Sequence, residues 1–114
     1  MFINLTRHVI TIQTGDGNID IWPSGECRII DAVMGGETVA GIPTISLPVH
    51  GYLDGLPEPL PDVNYLVSLM CLQWLAYQKS DRTDVFAPAT GPSHGAVRDD
   101  SGNLLAVTRL IRLN

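Results

Sequence analysis

Short runs of alternating apolar and polar side chains fill the first third of the chain. A period of two is typical of strands with one buried face, because successive side chains point to opposite sides of a sheet. The alternation is clear at residues 18–22 and 26–31 and weaker at 2–14. Turn-forming residues separate these runs at 15–18 and 23–25. The pattern therefore predicts one or two strands within 2–14, a hairpin with the next run, and a further strand.

Prolines mark the middle of the chain. Pro43 and Pro48 fall in the extended stretch 42–52, where their missing N–H groups confine a strand to an edge or a bulge. Residues 55–62 hold three prolines in eight positions. Proline fixes φ and removes a hydrogen-bond donor, so this segment is predicted to be a stiff connector. The functional alternative is a pocket rim that presents Glu58.

The second half predicts a strand–helix–strand unit. Residues 65–67 form a continuous apolar run, which is typical of a buried strand. Ser68 can accept a hydrogen bond from a free N–H of a first helical turn, and dense apolar residues follow it. We expect a helix at about 68–79, buried on most sides, and a short strand at 84–86. Such a crossover joins parallel strands.

A final hairpin is predicted from residues 96–98 and 104–111 around a turn at 99–103. At 114 residues the chain has the length of a single globular domain, 1–114. The summed prediction is an α+β fold with a mostly antiparallel multi-stranded sheet, one principal helix and one βαβ crossover. The alternative is a β-sandwich or barrel with one helix.

Charge and hydropathy narrow the class of partner. Twelve acidic residues outnumber seven basic ones, for a formal charge of −5, and no two basic residues are adjacent. Nucleic-acid binding needs a cationic stripe, so no nucleic acid is expected. The chain is 45% apolar with a mean hydropathy of +0.15, which excludes intrinsic disorder. These values are high for a small monomer, so we expect a closed homodimer.

Cysteine usage and the lack of long apolar runs indicate a cytoplasmic protein without a membrane partner. No stretch approaches the roughly 18 apolar residues of a membrane span. The N-terminal MFINLTRH lacks the basic and long apolar parts of a signal peptide. Cys27 and Cys71 match no metal motif, and reduced thiols are a simpler interpretation than a disulfide.

Catalytic motifs are missing from the sequence. The three histidines, His8, His50 and His94, do not have the spacing of metal ligands on a helix, and no G-x-S-x-G nucleophile motif occurs. The adjacent Asp99 and Asp100 lie in a predicted turn, where aspartate is favoured for backbone reasons. We therefore expect no metal and no cofactor, and an enzyme is the less favoured interpretation.

The best candidate for a ligand site is the loop that leaves the predicted strand 84–86. Ligands of α/β units bind where parallel strands end. Loop hydroxyls and N–H groups can bind an anion, an arginine can add a bidentate fork, and a helix N-terminus favours negative charge. The candidate ligand-binding residues are Ser68, Thr90, Gly91, Ser93, Arg98 and His8. Alternatively, glycine and proline only turn the chain here, and Arg98 pairs with a surface acid.

Several short sequence motifs together resemble a family of small proteins encoded in phage and prophage genomes. They are N-L-T-R-H at 4–8, G-L-P-E-P at 55–59, Y-L-V-S at 65–68, D-V-F-A-P at 84–88 and the tail from 90 to 110. Members of that family carry N-L-T-P-H near the start and P-D-T-G-P before a V-R-D…G hairpin. The likeness spans nearly the whole chain and brings no established chemistry.

This chain departs from the family pattern at two positions. Arg7 stands where the family has proline, and Ala89 stands where it has aspartate. If that aspartate were a catalytic acid, this member would be inactive, which favours binding over catalysis. The resemblance implies a phage accessory protein that acts inside a bacterial host, where such proteins modulate host defence or host enzymes.

Three functions follow as hypotheses. The first is a non-enzymatic binding module for a host protein or a small phosphorylated molecule, and we favour it because no catalytic constellation is present. The second is an enzyme acting on a nucleotide-like substrate, with His8 or His94 as general base and Arg98 as an electrostatic clamp. The third is a structural or assembly component of a virion that associates through the apolar helix at 69–77.

Overall fold

Ten β-strands and one α-helix make up the described part of the chain, residues 1–30, 36–45 and 51–114 of a computed structural model. In chain order the elements are β1 Phe2–Asn4, β2 Ile10–Thr14, β3 Gly17–Ile21, β4 Arg28–Ile30, β5 Tyr52–Asp54, β6 Asn64–Leu66, α1 Leu69–Tyr77, β7 Val85–Pro88, β8 Val97–Arg98, β9 Leu104–Ala106 and β10 Leu110–Arg112. Pro48, His50 and the end of the strand predicted at 26–31 lie outside the described residues.

A four-stranded sheet in the order β1-β6-β7-β10 carries the core. β1, β6 and β7 are parallel to one another, and β10 runs antiparallel to β7. Three antiparallel pairs surround this sheet, namely β2–β3, β4–β5 and β8–β9. Antiparallel pairing therefore predominates, and the described strands do not close into a barrel. The predicted α+β class is confirmed, with the strands divided among several sheets.

The predicted βαβ crossover is confirmed by the pairing of β6 with β7. Tyr65 lies opposite Val85 and Leu66 opposite Phe86 in parallel register. Tyr65, Leu66 and Val67 are each at most 1% exposed. A strand that is covered on both faces needs apolar side chains at successive positions, which explains the unbroken apolar run in the sequence.

Helix α1 begins where the sequence predicts. The Ser68 hydroxyl accepts the Cys71 N–H at 3.2 Å, and Lys79 takes a left-handed φ of 57° just beyond the other end. The expectation of burial on most sides is wrong. Only Cys71, Leu72 and Leu75 are buried, because this spacing places them on one helical face. Leu69, Met70 and Tyr77 are exposed, and Trp74 is half-buried against the core.

The core divides between the two faces of the central sheet. Tyr65, Val67, Val85 and Ala87 belong to the larger cluster, with the buried face of α1. Leu66 belongs to a smaller cluster with Ile10 and Val107. Since side chains alternate along a strand, the helix covers one face, and β2 and the segment after β9 cover the other.

Candidate functional site

The parallel strands end at one edge of the sheet, and a cavity of about 280 Å³ opens there. The segments that follow β1, β6 and β7 supply most of its polar lining, the side chains Thr6, His8, Ser68 and Thr90, and Thr11 of β2 adds a fifth. Its walls are mainly apolar and include Leu104 of β9. We call it the sheet-edge cavity. Its position is the one that ligands take in sheets with parallel strands.

Asn4 fixes the segment that carries Thr6 and His8. The Asn4 side chain is fully buried, and its Nδ2 donates to the carbonyl oxygens of His8 at 2.8 Å and Ile21 at 2.9 Å. Its Oδ1 accepts from the Thr6 N–H at 2.9 Å and the Thr6 hydroxyl at 2.6 Å. Every hydrogen-bonding group of the amide is in use. The turn after β1 is thereby held against the end of β3.

Sequence reasoning gave Asn4 no structural or functional role beyond its place in a motif. The available signal was an asparagine inside an otherwise apolar strand with Thr6 two residues later. Asparagine side chains often bond to the backbone two residues on. The second pair of partners, His8 and Ile21, depends on tertiary structure and has no local signal.

Ser68 places the start of α1 between two cavities. Ser68 lines both of them, with Leu69 on one side and Met70 and Cys71 on the other. In the described part of the chain, the N–H groups of Leu69 and Met70 have no hydrogen-bond acceptor. These free donors and the helix dipole make this end of α1 favourable for negative charge.

The second cavity has a volume of about 670 Å³ and shares Thr6, His8 and Ser68 with the first. Cys27 and Cys71 line it, so we call it the thiol cavity. On its rim Arg7 Nε lies 2.8 Å from Glu26 Oε1. Both side chains are largely exposed, so this ion pair adds little stability.

Polar groups of the loop after β7 form hydrogen bonds within the loop and to the adjoining hairpin. The Gly91 N–H donates to His94 Nδ1 at 3.2 Å. A Cβ on Gly91 would lie 2.8 Å from the same imidazole, so the close approach of His94 requires glycine. Arg98 donates to the carbonyl oxygens of Thr90 at 3.0 Å and Gly102 at 2.9 Å. These bonds join the loop to the hairpin of β8 and β9.

The structure separates the six candidate residues into groups. His8, Ser68 and Thr90 surround the sheet-edge cavity. Arg98 and Gly91 line a different concavity, which shares Thr90 with the first. Ser93 is exposed and lines neither. Arg98 therefore does not line the cavity that Ser68 lines, and it bonds to backbone carbonyls where the alternative expected a surface acid.

The sheet-edge cavity has the chemistry of a binding site for a small ligand. Apolar walls suit an apolar body, while the hydroxyls of Ser68 and Thr90 suit a polar or anionic end. Among the described residues that line it, His8 is the one titratable side chain. General acid–base chemistry with two groups has no second partner in that lining.

Metal-ligand clusters, membrane-spanning helices and similar proteins give no further indication of the ligand. Within residues 1–30, 36–45 and 51–114, no three histidine, cysteine, aspartate or glutamate side chains converge as metal ligands. Over the same ranges no helix has the length and apolar content needed to cross a membrane. Neither a family model nor a curated protein nor a solved structure matches this chain.

Proposed function

We propose that this protein is a phage-type accessory module that binds a small phosphorylated molecule in the sheet-edge cavity without converting it. The ligand's apolar part lies against the wall that includes Leu104 and Val107. Its phosphate meets the Ser68 hydroxyl and the free N–H groups at the start of α1. In the host cell such a module acts by sequestering its ligand.

One observation carries the proposal. The segments that follow three parallel strands converge on the N-terminus of α1, and the space between them is a cavity with an apolar wall. Helix N-termini at such edges are favourable sites for phosphate groups, since their N–H groups point outward and the dipole favours negative charge. No acidic residue lies in the first turn of α1 to repel an anion.

The size of the cavity limits the ligand. About 280 Å³ lies at the small end of the range for ligand pockets. An aryl or short alkyl phosphate fits such a volume, whereas a nucleotide has to extend beyond it.

The lining also favours binding over catalysis. The enzyme hypothesis needs His8 or His94 in one cleft with Arg98. His8 lines the sheet-edge cavity and Arg98 a different concavity. The Nδ1 of His94 already accepts a hydrogen bond from Gly91.

Calorimetric titration with phenyl phosphate, phenol and inorganic phosphate tests the proposal. We expect phenyl phosphate to bind more tightly than either fragment, because only this ligand uses both the apolar wall and the helix terminus. Equal affinities for all three compounds contradict the proposed ligand class. So does a lack of measurable binding for all three and for nucleoside monophosphates.

Ser68→Asp is the sharpest variant for this site. Aspartate is as good an N-cap as serine, so the helix and the melting temperature are retained. Its carboxylate stands where the phosphate binds, so we expect affinity for phenyl phosphate to fall at least about 10-fold. Ser93→Asp, which adds the same charge at an exposed serine that lines neither concavity, is the matched control and leaves affinity unchanged. Loss of binding in the control alone places the anion beside Gly91 and contradicts the proposed position.

A further inference from the structure

We propose that Cys27 and Cys71 form a redox-active thiol pair that hydrogen peroxide, entering through the thiol cavity, converts into an intramolecular disulfide. This proposal does not depend on the proposed ligand, because it concerns residues that do not line the sheet-edge cavity. It adds a modification site to a cavity that the binding hypothesis leaves unused.

The fold brings these two cysteines together from separate elements. Cys27 directly precedes β4, Cys71 is the third residue of α1, and they are 44 residues apart in sequence. The Cys71 thiol donates a hydrogen bond to the Cys27 carbonyl oxygen at 3.5 Å, which places the Cys71 sulfur beside Cys27. Both are free thiols in this structure.

The backbone holds each cysteine in place for bond formation. The Cys27 N–H donates to the Leu5 carbonyl at 2.8 Å, and the Cys71 N–H donates to Ser68 Oγ at 3.2 Å. Neither bond involves sulfur, so a disulfide can form without breaking them. Rotation about the side-chain bonds is the expected adjustment, because disulfides require a specific geometry.

Hydrogen peroxide can reach the Cys27–Cys71 pair through the thiol cavity. Cys27 is 6% exposed and Cys71 is 3% exposed, yet both line the thiol cavity of about 670 Å³. The exposed fractions are small, but a cavity of this volume gives hydrogen peroxide a route to both sulfurs.

The surroundings of the two thiols give them different roles. Hydrogen bonds from Cys27 and then Ser68 stabilise the Cys71 thiolate and lower its pKa, against the opposing effect of burial. Donation to Cys71, burial and the nearby Asp54 raise the pKa of Cys27 well above its usual range. Cys71 also lies in the first turn of α1, where the helix dipole stabilises a thiolate, so Cys71 attacks first and Cys27 is the resolving thiol.

Basic and acidic side chains also line the thiol cavity. His8, Arg7 and Arg28 line it, and Glu26 is the one carboxylate in the described lining. Arg7 pairs with Glu26, which leaves Arg28 as the cation without an ion-pair partner among the described residues. Asp54 lies opposite Arg28 in the register of β4 and β5.

The reaction balances in two steps. The Cys71 thiolate attacks one oxygen of hydrogen peroxide, the O–O bond breaks, and hydroxide leaves to become water on protonation. Cys71 is then a sulfenic acid. The sulfur of Cys27 attacks the sulfenic sulfur, the S–S bond forms, and the S–O bond breaks. The hydroxyl leaves as water with the proton from Cys27. Two thiols lose two electrons in total, and one peroxide is reduced to two waters.

Intact-mass spectrometry of the folded protein after peroxide treatment tests the proposal. We expect a loss of two hydrogens, no free thiol by alkylation under denaturing conditions, and full recovery with dithiothreitol. The oxidised protein should also melt higher, by on the order of 10 °C, because the cross-link closes a long loop of the unfolded chain. Two thiols that remain free, or a dimer linked between chains, overturn the proposal.

Matched serine variants separate the two roles. In Cys27→Ser the sulfenic acid of Cys71 has no resolving thiol, so a dimedone adduct is expected. In Cys71→Ser the remaining thiol should stay unmodified at the same peroxide concentration. Equal labelling of both variants overturns the assignment of roles. Wild-type protein in urea is the reference if either variant fails to fold: disulfide formation that is faster in urea than in the folded state overturns the proposal.

Discussion

The turn beside the candidate site is held by individual residues that do not tolerate substitution. Asn4 is the main example, since its amide makes two donations and two acceptances in a fully buried position. Buried polar groups of this kind contribute little net stability while satisfied and cost much when one partner is lost. The position of His8 in both cavities therefore depends on a residue that lines neither.

We predict that Asn4→Asp lowers the free energy of unfolding by about 3 kcal/mol or more at neutral pH. The substitution replaces the Nδ2 donor by an oxygen that faces the carbonyl oxygens of His8 and Ile21. Urea denaturation followed by circular dichroism measures the change. Asn18→Asp, on the exposed strand β3, is the control and is expected to stay within about 0.5 kcal/mol. A loss below about 1 kcal/mol for Asn4→Asp contradicts this account.

Gly55 is a second position at which the surroundings allow only one residue type. Its φ is +95°, and a Cβ there would lie 2.0 Å from the carbonyl oxygen of Glu26. Gly102 has a similar φ of +85°, but nothing lies within 4 Å of the corresponding Cβ position. Both positions disfavour alanine through φ, and only the first adds a backbone clash.

We predict that Gly55→Ala destabilises the protein by at least about 3 kcal/mol, against about 1 kcal/mol for Gly102→Ala. The difference measures the clash with Glu26, because the cost of the left-handed conformation is common to both variants. Midpoints of urea unfolding give the comparison. Equal losses would show that the β5 end moves away from Glu26 without cost.

At the scale of elements, local signals predicted the strand–helix–strand unit. Ser68 supplied the cap, and the apolar run that begins at Tyr65 supplied the buried strand. The pairing of β1 beside β6 had no such signal, because it joins segments from opposite ends of a long stretch of chain. The exposed side of α1 was also missed, since Met70 and Tyr77 are apolar yet 69% exposed each.

The candidate site could be predicted only in part for a related reason. Its position at the end of parallel strands follows from the topology, so Ser68 and Thr90 were found. The direction of Arg98 follows from carbonyl oxygens that the loop and hairpin present to it. Those contacts exist only once the backbone has folded. They cannot be predicted from the residue types, because every residue carries a backbone carbonyl.

The segment that connects α1 to β7 contains an ion pair. Arg82 donates to both carboxylate oxygens of Asp84 at 2.8 and 2.9 Å and to the Pro57 carbonyl at 2.9 Å. The hydrogen bond from Arg82 is the main reason that the pKa of Asp84 lies below its ordinary value. The two side chains are 18% and 14% exposed, so solvent screens this pair less than a surface pair.

We predict that Asp84→Asn lowers the free energy of unfolding by about 1–2 kcal/mol at pH 7. A carboxyl with a depressed pKa in the folded state stabilises the protein above its unfolded pKa. That contribution disappears as pH falls through the folded pKa. The difference between wild type and variant should therefore shrink below pH 3.8, the ordinary value. Urea unfolding at several pH values measures it, with the exposed Asp81→Asn as control. A difference independent of pH contradicts the ionic origin.

At the scale of the whole molecule, the chain is extended for its length. Its radius of gyration is 16.6 Å, whereas a compact domain of this size has about 13 Å. Residues 36–45 contribute to this openness, since every one of them is exposed. Val39, Ile42 and Ile45 are 60–69% exposed there. Apolar surface of this kind is typical of an association surface.

We therefore predict a homodimer, with a mass by light scattering twice the 12.4 kDa of one chain. Ile42→Asp should shift the mass toward the monomer, because it places a charge in the exposed apolar segment. Leu60→Asp introduces the same charge at an apolar residue that is also exposed, outside that segment, and should leave the dimer intact. A strict monomer at millimolar concentration for the unmodified protein contradicts the prediction.

The parallel register of β1 with β6 has a consequence for synthesis on the ribosome. Phe2 pairs opposite Asn64 and Asn4 opposite Leu66, so β1 lacks its sheet neighbour until those later residues have been translated. The hairpin of β2 and β3 needs only adjacent residues and can form within microseconds. β1 is thus synthesised before its sheet neighbour, and its unpaired edge stays open to other nascent chains until β6 has been translated.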